Sequence, residues 1–311
     1  MRKLVFKISI VYMSIVAIIA CSNPSGQFYY GALGLGSQKL VVAVQNTLAY
    51  EILIYSIEGT LEDVIADFTN AGDVPKGIAP YDAFSFAVLL DGVDRIARVS
   101  LTGSSVPDIT TNANLTGTLY QMAFDPTTSY YFAIEGNFIE AFTSSGARIG
   151  NPYITTTIGS CVLNTPRGLA MTSDGKLLVT NTGNDRLNVY NVSSAVPTCV
   201  SANTSLGAND PLPVIQHSNG LIYYGSQVDD RINSLPSNGT GAPTTVWATN
   251  LTVINNPTEL LEMPDGTILV ASDGTNSIER ITTAGVQVGS TSFIRDSFTG
   301  FVTQMMLIGG E

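Results

Sequence analysis

The sequence predicts an all-β fold, a six-bladed β-propeller in which the C-terminal strand joins the N-terminal blade and closes the ring. Three observations carry this expectation. A three-stranded pattern recurs at a spacing of about 45 residues. Each copy consists of short apolar runs of strand length separated by Asp-Gly or Asn/Gly/Asp turns. The first copy lacks its opening strand, and a matching strand stands alone at the end of the chain, Phe301–Leu307.

The clearest copy runs from Pro166 to Tyr190. Its strands are Gly168–Met171, Lys176–Thr180 and Arg186–Tyr190, joined by the hairpin turn Asp174-Gly175 and a longer turn over Asn181–Asp185. Pro211 begins the next copy 45 residues later, and Pro257 the one after, with Ile268–Val270 as its second strand. Upstream, Pro75-Lys76-Gly77-Ile78-Ala79 mirrors Pro166-Arg167-Gly168-Leu169-Ala170 at a distance of 91 residues, which is two periods. A weaker copy lies between them, over Tyr120–Asp125, Tyr131–Ile134 and Phe138–Phe142. Thr244–Thr249 and Val286–Gly289 are expected to add fourth strands. Leu40–Val44 and Glu51–Ser56 match a second and a third strand, so Phe301–Leu307 is expected to complete that unit. Closure removes the free sheet edges. With no helical period and no linker, residues 39–311 form one domain.

Residues 1–20 read as a leader: Arg2, Lys3 and Lys7 precede the apolar run Ile8–Ala20, which is too short to span a bilayer. The junction Ile18-Ile19-Ala20-Cys21 resembles a bacterial lipobox, and that resemblance implies that Cys21 carries the lipid and becomes the mature N-terminus. The alternative is an ordinary signal peptide with a chance cysteine. Ser22 in place of Asp implies, within the same resemblance, the outer membrane of the cell envelope. Residues 21–38 are then a tether. The formal net charge is −11, and loss of the three leader cations makes it more negative. No basic patch follows residue 7, so nucleic acid is excluded as a partner. Cys161 and Cys199 either pair, as an oxidising compartment favours, or remain two buried thiols.

The recurring Pro-x-Gly-[Leu/Ile]-Ala, Asp-Gly-x-[Leu/Ile]-x-Val and Asn-Asp-Arg-[Leu/Ile] segments resemble the NHL repeat, most strongly over 166–190. Propellers of this type include scaffolds, ligand binders, lyases and lactonase relatives, so function rests on the site.

The turns between second and third strands are expected on the same rim as the Pro-x-Gly segments. They place Asp91, Asp94, Glu135, Asn137, Asn181, Asn184, Asp185, Asp229, Asp230, Asp273 and Asn276 there. Converging oxygens of this kind suit Ca²⁺, with Asp185, Asp230 and Glu259 as the candidate metal ligands. The competing account is that Asn and Asp serve the turns themselves. The recurring Asp-Arg pairs at 94–95, 185–186 and 230–231 are expected to brace neighbouring blades.

The resemblance implies catalysis in two ways, and the residues meet neither. Amidating lyases need several histidines, and this chain has one, His217. Gluconolactonase-like relatives hold metal ligands at the x of Pro-x-Gly. Here those positions are Lys76, Tyr120, Arg167, Leu212, Thr258 and Thr303. The expectation is therefore a non-enzymatic, lipid-anchored scaffold that binds an envelope protein or a small ligand. The alternatives are a divalent-metal lactonase or hydrolase, and a carbohydrate-binding module stacking sugars on Tyr120, Tyr130, Tyr131, Tyr223 and Tyr224.

Overall fold

The computed structural model describes residues 20–22, 28–30, 38–45, 50–67, 73–82, 84–102, 106–110, 115–248, 250–295 and 300–309. Residues 1–19 of the expected leader and most of the tether lie outside them. Six antiparallel sheets follow one another around a ring, and among the described residues the single helical element is the 3₁₀ turn Asp273–Thr275. No helix among them is long and apolar enough to cross a membrane.

Blade 1 has the order Phe301–Ile308, Lys39–Gln45, Tyr50–Ser56, Leu61–Asp67. The closing strand pairs along its whole length, from Phe301 with Gln45 to Ile308 with Lys39. Among the described residues blades 2 and 3 have three strands each: Asp73–Asp82, Ser85–Gly92 and Arg95–Ser100, then Leu119–Asp125, Tyr130–Glu135 and Phe138–Thr143. Blade 4 comprises Pro166–Met171, Lys176–Asn181, Arg186–Asn191 and Thr198–Asn203. Blade 5 comprises Pro211–Gln216, Ile222–Ser226, Arg231–Leu235 and Thr244–Trp247. In blade 6, Pro257–Glu262, Ile268–Ser272 and Ser277–Ile281 are joined by Ile294–Arg295. The expected fourth strand Val286–Gly289 instead turns back on Thr282 and makes one bridge, Gln287 to Ile281. Cys21 lies in the short strand Ala20–Ser22, which pairs with Phe28–Tyr30 outside the six blades.

Both faces of every blade are covered, so the strands read as nearly unbroken apolar runs. Side chains alternate between the two seams that flank a blade. In Lys39–Gln45, Leu40, Val42 and Val44 pack toward blade 6 beside Leu269 and Ile278. Val41 and Ala43 pack toward blade 2 beside Phe86 and Val88. The core is thus divided into six clusters, one per seam.

The turn residues stitch the ring on one rim. A side-chain oxygen of Asp91 accepts from Leu119 N at 3.0 Å, and one of Asn137 accepts from Thr165 N at 2.8 Å. Asp185 accepts from Asp210 N at 3.0 Å, and Asp230 from Asn256 N at 2.6 Å. Each bond ties a turn between second and third strands to the chain entering the following blade. The expected arginine brace is not the device used. Arg95 pairs with Asp108 at 2.9 Å and with Asp73 at 3.6 Å, both at its own blade. Arg186 and Arg231 form no ion pair among the described residues. A carboxylate in a tight turn reaches a backbone N–H one blade away, whereas the arginine beside it begins the third strand of its own blade.

Candidate functional site: the mouth of the central channel

Every first strand is broken by a β-bulge near its start. Pairing skips one residue between Pro75 and Gly77, Pro166 and Gly168, Pro257 and Glu259, and Val302 and Gln304. Similar breaks occur in Leu119–Asp125 and between Pro211 and Val214. A bulge bends its strand and re-aims a side chain. The six positions affected include Lys76, Tyr120, Arg167, Leu212, Thr258 and Thr303, and all six line one cavity of 380 Å³ at the channel mouth. Thr182, Asp210, Gln227, Asp273 and Phe301 complete its wall.

Glycine follows the bulge in blades 2 and 4 for steric reasons. A Cβ on Gly168 would stand 1.8 Å from Leu212 O and 2.4 Å from Thr180 Oγ1. In blades 1, 3 and 6 the same position carries a long polar side chain, Gln304, Gln121 and Glu259, whereas blade 5 has Pro213, and the three polar side chains floor the mouth. Gln304 of blade 1 reaches over Gly77, accepting from Ile78 N and donating to Met122 O, each at 2.8 Å. Gln121 of blade 3 accepts from Leu169 N and donates to Glu259 Oε2 of blade 6 at 2.6 Å. Blades 3 and 6 face each other, so this bond crosses the ring. Beneath it lies a smaller void of 140 Å³ bordered by Glu259, Gln304, Gln216 and apolar side chains.

The charges of the mouth are arranged in two arcs. Lys76 and Arg167 flank Tyr120 on blades 2 to 4, and the Arg167 guanidinium lies 3.7 Å from the Tyr120 ring centroid. Lys76 Nζ donates to Gln45 Oε1 at 3.1 Å. Burial lowers the Lys76 pKa; Asp91 opposes that shift and Arg167 adds to it. The other arc holds Thr258, Thr303, Asp210 and Asp273. Burial raises the Asp273 carboxyl, against a hydrogen bond from Asn256. Thr258 Oγ1 is buried without a hydrogen-bond partner. The Glu259 carboxyl is raised well above the usual range by burial, against its hydrogen bond from Gln121.

Of the rim residues read from sequence, Asp273 alone lines the cavity. Asp94, Asp185, Asp230 and Asn276 occupy left-handed turn positions, with φ between 48° and 52°. Glu135 accepts from the N–H groups of Thr116 and Gly117, both at 2.7 Å. Asn181 accepts from Asn164 N, Asp229 from Asn209 N, and Asn184 sits half-buried in its turn. Asp185 and Asp230 lie on adjacent blades with an oxygen each engaged in stitching, and Glu259 is buried in the channel. The structure does not bring these three together, and no group of three or more metal-binding side chains occurs among the described residues. Tyr131, Tyr223 and Tyr224 are core residues, and Tyr120 is the one tyrosine of that set at the mouth. His217 is buried, with Nδ1 accepting from Asn219 N and Nε2 3.0 Å from Gly266 O. Cys161 and Cys199 form a disulfide across 38 residues. The cross-channel pair was missed because Gln121 and Glu259 replace the glycine of the repeat; that departure was the available signal.

The fold is that of a six-bladed β-propeller, and solved structures share it. The chain is similar to a protein in the crystal structure of a nidogen/laminin complex, with a TM-score of 0.69 at 14% identity over 87% of this chain and 98% of that one. It is similar to a protein of unknown function from Bacteroides caccae, with a TM-score of 0.63 at 13% identity over 88% and 99%. It is also similar to virginiamycin B lyase from Staphylococcus aureus, with a TM-score of 0.54 at 17% identity over 75% and 74%. No protein-family model and no curated protein sequence matches the chain.

Proposed function

We propose that this protein is a non-enzymatic binding module of the NHL type, held at the bacterial outer membrane by a lipid on Cys21, and that the channel mouth is its ligand site. The observation that carries the proposal is the convergence of six bulged residues on one 380 Å³ cavity. That volume falls in the lower part of the range for small-molecule sites, about 300–1,000 Å³. The residues so aimed are two cations, an aromatic ring, an aliphatic side chain and two hydroxyls. Such a set recognises a ligand and supplies no evident nucleophile with its base. The leader and the Ala20-Cys21 junction support the anchor.

Two measurements test this reading. Native mass spectrometry of the protein after incubation with a small-molecule extract should detect a bound species that the Arg167→Met variant loses. Absence of any bound species, or turnover of lactone or ester substrates, would overturn it. Radiolabelled palmitate should enter the wild-type chain and not Cys21→Ala.

A further inference from the structure

We infer that the mouth takes a small zwitterion, an amino-acid-like or dipeptide-like molecule with its carboxylate on the Lys76/Arg167 arc and its ammonium on the Asp210/Asp273 arc. This rests on the reading of the mouth as a binding site and names its ligand chemistry. Lys and Arg number 14 in 311 residues, and two of them meet in this cavity without an ion-pair partner among the described residues. Stacking on Tyr120 holds the Arg167 plane in place, and no hydrogen bond engages its N–H groups among the described residues. A fixed, unengaged guanidinium fork matches a carboxylate in two-point geometry. Asp91, close to Lys76, tempers that arc without occupying it.

The opposite arc has the complementary character. Asp273 and Asp210 border the cavity and form no ion pair among the described residues. On the same arc stands the unpartnered hydroxyl of Thr258, 8% exposed. A buried hydroxyl without a partner is costly unless something else bonds it. A ligand with both charges and a polar backbone between them would engage both arcs and this hydroxyl. An anion alone leaves two carboxylates facing it across the cavity, and a cation alone meets the guanidinium.

The test is calorimetry on the full-length protein in detergent, with Ala-Ala, N-acetyl-Ala-Ala, Ala-Ala amide and glucuronate as probes. Ala-Ala should bind, and each singly charged dipeptide should bind about 10- to 100-fold more weakly, the loss of a hydrogen-bonded charge. Arg167→Met should weaken Ala-Ala by a similar factor. Thr258→Val, which keeps the shape of the wall, should weaken it by a smaller one. Equal binding of the acetylated peptide, or preference for glucuronate, would overturn the zwitterion while leaving the mouth as a site. Ala-Ala binding that neither variant changes would overturn the placement. Silence with all four probes would overturn the ligand class, and the extract experiment above then decides whether the mouth binds anything.

Discussion

Gln121 Nε2 donates to Glu259 Oε2 at 2.6 Å, across 138 residues of sequence and across the ring from blade 3 to blade 6. This one bond spans the channel, separating the mouth from the void beneath it. Burial keeps the proton on Glu259, because a carboxylate there loses its hydration, and the hydrogen bond from Gln121 works against that effect without overcoming it.

The first prediction concerns pH. Folded Glu259 holds its proton to a higher pH than an unfolded glutamate, whose pKa is about 4.3. The contribution to stability is therefore fully present below about pH 4.3 and declines as pH rises toward the folded value, at up to about 1.4 kcal/mol per pH unit. Glu259→Gln keeps the shape and an acceptor for Gln121 and removes this decline. Thermal melts should show the variant more stable than wild type at pH 8, with the gap closing toward pH 4. A gap that is the same at both values would show that Glu259 is not the group responsible.

Gln121→Leu should act in the opposite direction. It leaves the Leu169 N–H without its acceptor and Glu259 without its donor, for a loss of about 2–4 kcal/mol. A double-mutant cycle with Glu259→Leu, read by urea denaturation, should return a coupling of about 1 kcal/mol or more. Strict additivity would contradict a direct bond.

The turn carboxylates predict a third contrast. Asp230→Asn retains the oxygen that accepts from Asn256 N and should be nearly neutral, whereas Asp230→Ala should cost about 1–2 kcal/mol. Equal effects of the two changes would point to the charge, and a calorimetric Ca²⁺ titration would then reveal a metal at this turn.

Gly168→Ala drives a methyl group into Leu212 O and should cost about 3 kcal/mol, the upper part of the usual overpacking range. Gly175 is the control: its turn is open around the position, and alanine there pays only for a φ of 75°, about 1 kcal/mol. Chemical denaturation of the two variants gives the comparison.

The disulfide yields the last prediction. Cys161 and Cys199 close a loop of 38 residues in separation, which corresponds to about 3–4 kcal/mol of chain entropy. Melting with and without a reductant should differ accordingly, and the Cys161→Ser/Cys199→Ser double variant should match the reduced protein.

What repeats along the chain was legible, because periodic residues do periodic work. The Pro-x-Gly starts, the Asp-Gly hairpins and the missing first strand led directly to six blades and their closure. Glu259 and Gln121 stand where blades 2 and 4 carry glycine, so alignment treats them as lapses in the pattern. Their meaning comes from a contact across the ring, which no local spacing encodes. The x residues were legible as a set, through what they lacked for lactonase chemistry. That they share one cavity follows from six bulges, and a bulge is a register shift invisible in one strand alone. The rim acids illustrate the converse: Asp94, Asp185 and Asp230 recur because a left-handed turn recurs.

The pairing of Phe301–Ile308 with Lys39–Gln45 also orders events in time. A chain threading out from its N-terminus offers Lys39–Gln45 early, with one edge unpaired, and the strand that covers that edge comes more than 250 residues later. Until then the seam between blades 6 and 1 has no closing wall, and the mouth lacks Phe301 and Thr303. The ring therefore acts as its own proof of completion. A product that ends near residue 300 leaves an edge of Lys39–Gln45 unpaired, open to pairing with another chain, and lacks the Phe301 and Thr303 walls of the cavity.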